Sequence, residues 1–375
     1  MQIFQSHIQA LPSVLALALA ALLAPALALS AQPVIFDTDM AIDDWATLLF
    51  LERHRAVETI AITVAGSGES HCEPGVRNAL ALRQLAGRAD SIPVACGDTT
   101  PLEGYFVFPT AWQIDSDTLS GIEIPASPVA GSTLHAVEVI HNAIASRSEP
   151  VVILATGPLT NIAQWLERYP EDIAGVSRLV IMGGNLNVPG NILVPGFSDG
   201  HPNRQAEWNI YIDPVAADRV FRSGISLEMV GLDVTNHVRV TAEFASDFKA
   251  RAGNPVARFW DQVLDKNDWF IASGEYYFWD VLAALVVVEP DRLCRGETLA
   301  LGVQHQCSQE IWSAGSDLSM PALNADGKPR CHLDAASAGV IHTIEGKPNV
   351  KVCLTTDADR AFEVFTSTLT GTQAP

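Results

Sequence analysis

Positive charge is scarce in this 375-residue sequence: 23 Lys and Arg stand against 43 Asp and Glu, a formal net charge of −20. A surface of that sign repels phosphate backbones and anionic bilayers, which excludes nucleic acid and a charged membrane as the main partner. No Asp, Glu, Lys or Arg precedes Asp37. Within that uncharged stretch residues 11–29 are a Leu/Ala run broken by Pro25, and Ala26, Ala28 and Ala31 offer small-residue cleavage sites. Residues 1–31 therefore read as a secretory signal peptide rather than a retained anchor. The expected localisation is exported, periplasmic or extracellular, with 32–375 as one large domain.

Other absences narrow the chemistry. No two cysteines are spaced CxxC, which argues against a zinc site. In an exported chain Cys294, Cys307, Cys331 and Cys353 are expected to form one or two structural bridges, with Cys72 and Cys96 as buried thiols or a further pair. Gly183-Gly184 lacks the GxGxxG pattern and reads as a turn, and His237, His305, His332 and His342 have no metal-ligand spacing. No internal repeat is present.

What the sequence does contain is alternation. Short β-branched runs at 33–36, 58–64, 150–154, 178–182 and 227–230 are separated by helical patterns at 43–53, 74–86, 159–168 and 214–222. That order predicts an α/β, Rossmann-like fold: a mostly parallel central sheet flanked by helices, with ligands bound beyond the carboxyl ends of the strands. Longer helical patterns follow at 242–265 and 276–288. The stretches 97–131 and 183–202 show no periodicity and read as functional loops.

At the exit of the first strand stands Asp37-Thr38-Asp39-Met40-Ala41-Ile42-Asp43-Asp44. Four carboxylates in eight residues repel one another unless a cation sits among them, and Ca²⁺ or Mg²⁺ prefers such oxygen ligands. Asp43 and Asp44 alone could serve as helix N-terminal residues; all four together point to a metal site.

Here the sequence resembles the calcium-dependent, inosine-uridine preferring nucleoside hydrolases, whose hallmark is an Asp-x-Asp-x-x-x-Asp-Asp run. Four further motifs match in order: Leu154-Ala155-Thr156-Gly157-Pro158-Leu159-Thr160-Asn161, Met182-Gly183-Gly184, Glu207-Trp208-Asn209-Ile210-Tyr211-Ile212-Asp213-Pro214, and Trp279-Asp280. The resemblance implies that Asp39, Asp44, the carbonyl of Thr156 and Asp280 bind Ca²⁺, that Asp39 is the general base, and that Asp37 orients these ligands from behind. It implies ribose recognition by Asp43, Asn191, Glu207 and Asn209, with Asn203 as the alternative to Asn191. Ser67 departs from the family, where Asn commonly follows the glycine, and Glu69 is a candidate replacement.

The leaving group separates the branches. The pyrimidine-accepting branch carries His before the last metal Asp; this chain has Trp279, and Phe108-Pro109-Thr110-Ala111-Trp112 resembles the second Trp segment of the purine-specific branch. Two indoles sandwiching a purine would stabilise its protonated form. The expectation is an N-glycosyl hydrolase acting on inosine, adenosine and guanosine, with Trp112 and Trp279 activating the base, assembled as a homo-oligomer, a dimer or tetramer. Rival readings are a secreted nucleoside-binding or effector protein of the same fold without catalysis, and a haloacid-dehalogenase-like phosphohydrolase.

Overall fold

The computed structural model describes residues 31–88, 92–104, 106–308 and 330–372. The expected signal peptide lies outside the described residues except for Ala31. Residues 32–375 form one compact unit.

Its centre is an eight-stranded sheet in the order β3-β2-β1-β4-β5-β6-β10-β7, formed by β1 (Gln32–Thr38), β2 (Val57–Val64), β3 (Val94–Cys96), β4 (Val151–Ala155), β5 (Val176–Met182), β6 (Leu227–Val230), β7 (Arg295–Leu299) and β10 (Val350–Thr355). All neighbours pair in parallel except β10 with β7. A separate antiparallel pair joins β8 (Leu301–Val303) and β9 (Ile341–Thr343).

Alternate residues explain why the inner strands are apolar throughout. Val34, Phe36, Val152, Leu154, Val180 and Met182 enter one hydrophobic cluster, and Ile35, Ile153, Ile181 and Ala155 enter the other on the opposite face. A strand covered by helices on both sides has no solvent face on which to place polar residues.

The chain runs outward from β1 to β3, then returns to place β4 on the other side of β1. This reversal opens a crevice beyond the ends of β1 and β4, where Asp37 is paired in register with Ala155. Ligands of doubly wound sheets bind at such a switch point.

Three features differ from the sequence expectation. The apparently aperiodic stretch 97–131 contains the helix α3 (Thr110–Thr118), introduced after α1 (Ile42–Arg53) and α2 (Cys72–Leu85). Of its residues only Ser116 is buried, so no apolar stripe announces it. The pattern at 242–265 is two helices, Ala242–Lys249 and Pro255–Lys266, divided where Asn254 caps the second and Pro255 begins it. The helix expected from 276 begins at Trp279.

All six cysteines pair: Cys72–Cys96, Cys294–Cys353 and Cys307–Cys331. Cys72 and Cys96 are thus the further pair rather than buried thiols.

Candidate active site

The turn from β1 into α1 is strained at its centre. Met40 adopts φ 59°, a left-handed conformation that a side-chain-bearing residue seldom takes. Its backbone is fixed on both sides, by Met40 N–H to Thr38 Oγ1 at 2.9 Å and by the Trp45 indole N–H to the Met40 carbonyl at 2.8 Å. The turn throws Asp39 into the crevice, where it is pinched between two glycines. A Cβ on Gly68 would collide with the Asp39 side chain, and one on Gly157 would lie 2.8 Å from Asp39 Cβ. Gly157 of the second motif is therefore required for lack of space.

Asp44 is the structural hub. Its Oδ1 accepts Thr38 Oγ1 at 2.5 Å and Thr156 Oγ1 at 2.6 Å, and its Oδ2 accepts the Ala41 N–H at 2.9 Å, closing the first turn of α1. Asp37 lies behind the site, fully buried, with Oδ1 accepting Thr63 Oγ1 at 2.5 Å and Asn161 Nδ2 at 2.8 Å, while Oδ2 has no partner. Asp280 arrives from the first turn of the helix Trp279–Val288.

Oxygens of Asp43, Asp44 and Asp280 all lie within 4.8 Å of one another. Asp39 adjoins this group through Asp44. The expected ligand set put Asp39 with Asp44 and Asp280 and left Asp43 to the ribose; the structure places Asp43, which is half-buried, within the same acidic group, with Asp39 beside it.

The electrostatics are those of uncompensated anions. Burial pushes the Asp39 carboxyl up to about 7, with Glu69 and Asp43 adding repulsion; burial and Asp44 likewise push Asp43 up to about 7. Asp44 and Asp280 are raised well above the usual carboxylate range by burial and then by their acidic neighbours. Among the described residues no Lys or Arg pairs with Asp39, Asp43, Asp44 or Asp280. Hard oxygen donors gathered without a counter-charge suit a hard divalent cation. A second acidic group, Glu228 with Cys294 and Cys353, does not: the cysteines form a disulfide and Glu228 pairs with Arg178 and Lys351.

The ribose candidates are arranged around this centre. Asn209 Nδ2 donates to the carbonyls of Thr156 at 2.9 Å and Met182 at 3.2 Å, and among the described residues its Oδ1 has no partner. Glu207 caps the helix Trp208–Ile212 and also receives the Gly184 N–H at 2.9 Å, tying the third motif to the fourth. Asn191 accepts the Trp208 N–H at 3.1 Å and keeps its Nδ2 unbonded. Asn203 is fully buried, accepts two backbone N–H groups and donates to the carbonyls of Ala335 and Ala338, so its amide is wholly structural. Ser67 is also occupied: it bonds Thr160 at 2.8 Å, which in turn bonds Asp213 at 2.7 Å.

The two expected base-stacking indoles stand in separate aromatic clusters. Trp112 packs against Phe108, Phe197 and Trp208, and Trp279 against Phe270, Tyr276 and Tyr277. Phe197 and the exposed Trp269 join the two clusters, with ring centroids 6.2 Å apart. Sequence reasoning missed Trp208 as the packing partner of Trp112, with ring centroids 5.4 Å apart; its signal was its place inside the fourth motif. It also missed the Tyr276 hydroxyl, buried without a partner near Asp43 and Asp280.

An acidic cluster of a kind that suits a divalent cation thus stands at the switch point of a doubly wound sheet. Residues 34–363 match the family model described as inosine-uridine preferring nucleoside hydrolase, and the chain belongs to that family, a family of N-glycosyl hydrolases. A pyrimidine-specific ribonucleoside hydrolase RihA of Citrobacter koseri is 37% identical over 235 residues, covering 63% of this chain and 70% of that protein. The RihA of Escherichia coli strain SMS-3-5 is 34% identical, with 63% and 71% covered. Among solved structures, the purine-preferring ribonucleoside hydrolase from Gardnerella vaginalis superposes with TM-score 0.70 at 25% identity, covering 91% of this chain and 98% of that one. The inosine-uridine preferring nucleoside hydrolase from Bacillus anthracis shares the fold, with TM-score 0.68 at 24% identity over 90% and 99% of the two chains.

Proposed function

We propose that this hydrolase cleaves the N-glycosidic bond of purine ribonucleosides, inosine, adenosine and guanosine, to free base and ribose, with Ca²⁺ as its cation. The observation that supports the substrate class is Trp279, next to Asp280 of the acidic cluster and where the pyrimidine-accepting pattern has His, with Trp112 in a second aromatic cluster.

In this reading Asp39 takes the proton from the attacking water. Its Oδ2 is oriented by the Glu69 N–H at 3.1 Å. As the water oxygen bonds to C1′, the C1′–N bond breaks and its electron pair leaves on the base. Positive charge developing on the sugar is stabilised by the surrounding carboxylates. Asn209 Oδ1, Asn191 Nδ2, Asp43 and Glu207 hold the ribose hydroxyls. Ca²⁺, when held by Asp39, Asp44, the Thr156 carbonyl, Asp280 and the adjoining Asp43, supplies the positive charge that lets these anions coexist and polarises oxygen ligands. Stacking of the base by Trp112 and Trp279 favours its protonated form, so no dedicated acid is required.

A pyrimidine substrate is the second reading, favoured by the identity to proteins named pyrimidine-specific. Base release from inosine, adenosine, guanosine, uridine and cytidine by the calcium-loaded protein separates the two: faster uridine than inosine turnover refutes the purine assignment. Export is supported by the three disulfides, which persist in oxidising compartments, and is tested by cell fractionation. A homo-oligomer, dimer or tetramer, is part of the same reading, and light scattering reports it.

A further inference from the structure

The segment entering α2 is stitched to the C-terminal end of α3. His71 places its N–H and Nδ1 on the Asp117 carboxylate at 2.9 and 2.7 Å. Arg77 donates to the Asp117 carbonyl at 2.8 Å, and Asn78 to the carbonyls of Ser116 and Asp117 at 3.0 and 3.1 Å. The Cys72–Cys96 disulfide fixes the same segment to the end of β3. One further strap joins two buried side chains: Ser116 Oγ donates to Glu69 Oε1 at 2.5 Å, with Ser116 fully enclosed and Glu69 8% exposed.

Glu69 is unusual company for that serine. Its neighbours include Asp39, whose Oδ2 takes the Glu69 N–H, and the charges of Asp43, Asp44 and Asp115. Among the described residues its Oε2 accepts no hydrogen bond and no cation pairs with it. A buried carboxylate among like charges, with one hydroxyl donor, is costly to a fold. The outer straps already hold the segment, so fastening α3 does not require it. Ser116 stands four residues after Trp112, on the same face of α3. Whatever fixes Ser116 therefore fixes the direction in which the Trp112 face points.

We propose that Glu69 is a positioning residue for the leaving base, setting the Trp112 wall through Ser116 against the Asp39 side of the cleft. This role rests on the nucleoside hydrolase reading above. Because the bond to Asp39 comes from the Glu69 backbone, Ser116→Ala leaves both that bond and the Glu69 charge in place and moves only the leaving-group wall.

The test compares two substrates: the better of inosine and uridine, and 4-nitrophenyl riboside, whose phenolate departs without help from a stacked base. Ser116→Ala and Glu69→Ala each lower kcat/KM on the nucleoside about tenfold or more, the worth of one lost hydrogen bond to a charged group. Ser116→Ala leaves the aryl riboside within about twofold; Glu69→Ala, which also removes a charge that repels Asp39, lowers the nucleoside reaction more than the aryl riboside, and the double variant is no worse than Glu69→Ala. Glu69→Gln, whose amide oxygen can still accept from Ser116, restores most of the nucleoside activity. Asp117→Ala, which removes an outer strap, leaves both substrates unchanged. Equal losses on the two substrates, or an unaltered Ser116→Ala variant beside an active wild type, overturn the role alone. A wild-type protein inert on nucleosides refutes the functional reading, and this role with it.

Discussion

Stripping the divalent cation makes the carboxylate cluster a source of instability that grows with pH. Asp39 shows the size of the effect. Burial, with repulsion from Glu69 and Asp43, raises it from 3.8 to about 7. Between those values the folded cation-free protein holds a proton that the unfolded chain has released. The contribution to stability is therefore complete below pH 4 and is lost as pH rises through about 7. At about 1.4 kcal/mol per unit, one such carboxylate accounts for about 4 kcal/mol. Unfolding entropy of about 2.1 cal/mol/K per residue, taken over residues 32–375, makes that about 6 °C in Tm. Thermal melts of EDTA-treated and Ca²⁺-loaded protein at pH 5 and pH 8, with disulfides intact, read it directly. About two of those three pH units lie above pH 5, so the cation-free protein melts about 4 °C or more lower at pH 8 than at pH 5, and Ca²⁺ restores the loss at pH 8 while doing little at pH 5. In Asp280→Asn the sign inverts: one repelling charge is gone, so cation-free protein at pH 8 melts higher than wild type and its Ca²⁺ response collapses. Equal melting of the EDTA-treated wild type at both pH values, with no Ca²⁺ response, would refute the electrostatic argument.

Replacing Asp39 with Ala lowers kcat by about 10²–10⁴ while calorimetry still detects nucleoside binding; loss of binding with it would assign Asp39 to ligand binding only. Trp112→Ala and Trp279→Ala each reduce inosine turnover about tenfold and aryl riboside turnover much less, on the scale of one aromatic contact and the base activation it carries. Unchanged inosine rates would remove the indoles from the mechanism. Gly157→Ala forces a methyl to within 2.8 Å of Asp39 Cβ, which destabilises the protein by about 1–3 kcal/mol in denaturant titration and lowers activity; a neutral variant would show that the turn has room.

How much of this was legible in the sequence depended on how local each signal was. Strands β1, β2, β4, β5 and β6 and the helices α1, α2, Thr160–Arg168 and Pro214–Arg222 follow from apolar runs and periodicity, whereas the three-residue β3 and the helix Ala136–Ala145 were not read; the family motifs sit at the switch-point crevice because a doubly wound sheet brings strand ends together. The helix α3 escaped notice because Thr110–Thr118 buries only Ser116 and is held by straps from residues 69–78. Asn191 was preferred to Asn203 on the local form of Gly190-Asn191 alone; tertiary contacts show that the second is committed to backbone groups. Ser67 likewise looked like a defect in sugar recognition, yet its hydroxyl belongs to a chain running through Thr160 to Asp213. The pairing of Cys72 with Cys96 depended on the fold placing the start of α2 beside the end of β3.

The most direct measurement is the stoichiometry of inosine cleavage by the purified protein, after exhaustive EDTA dialysis and after Ca²⁺ is restored. Hypoxanthine and ribose should appear in equal amounts with Ca²⁺ and not without it. Cleavage that persists undiminished in EDTA, or no release of base from any nucleoside by the calcium-loaded protein, would contradict a cation-dependent N-ribohydrolase built on Asp39, Asp43, Asp44 and Asp280.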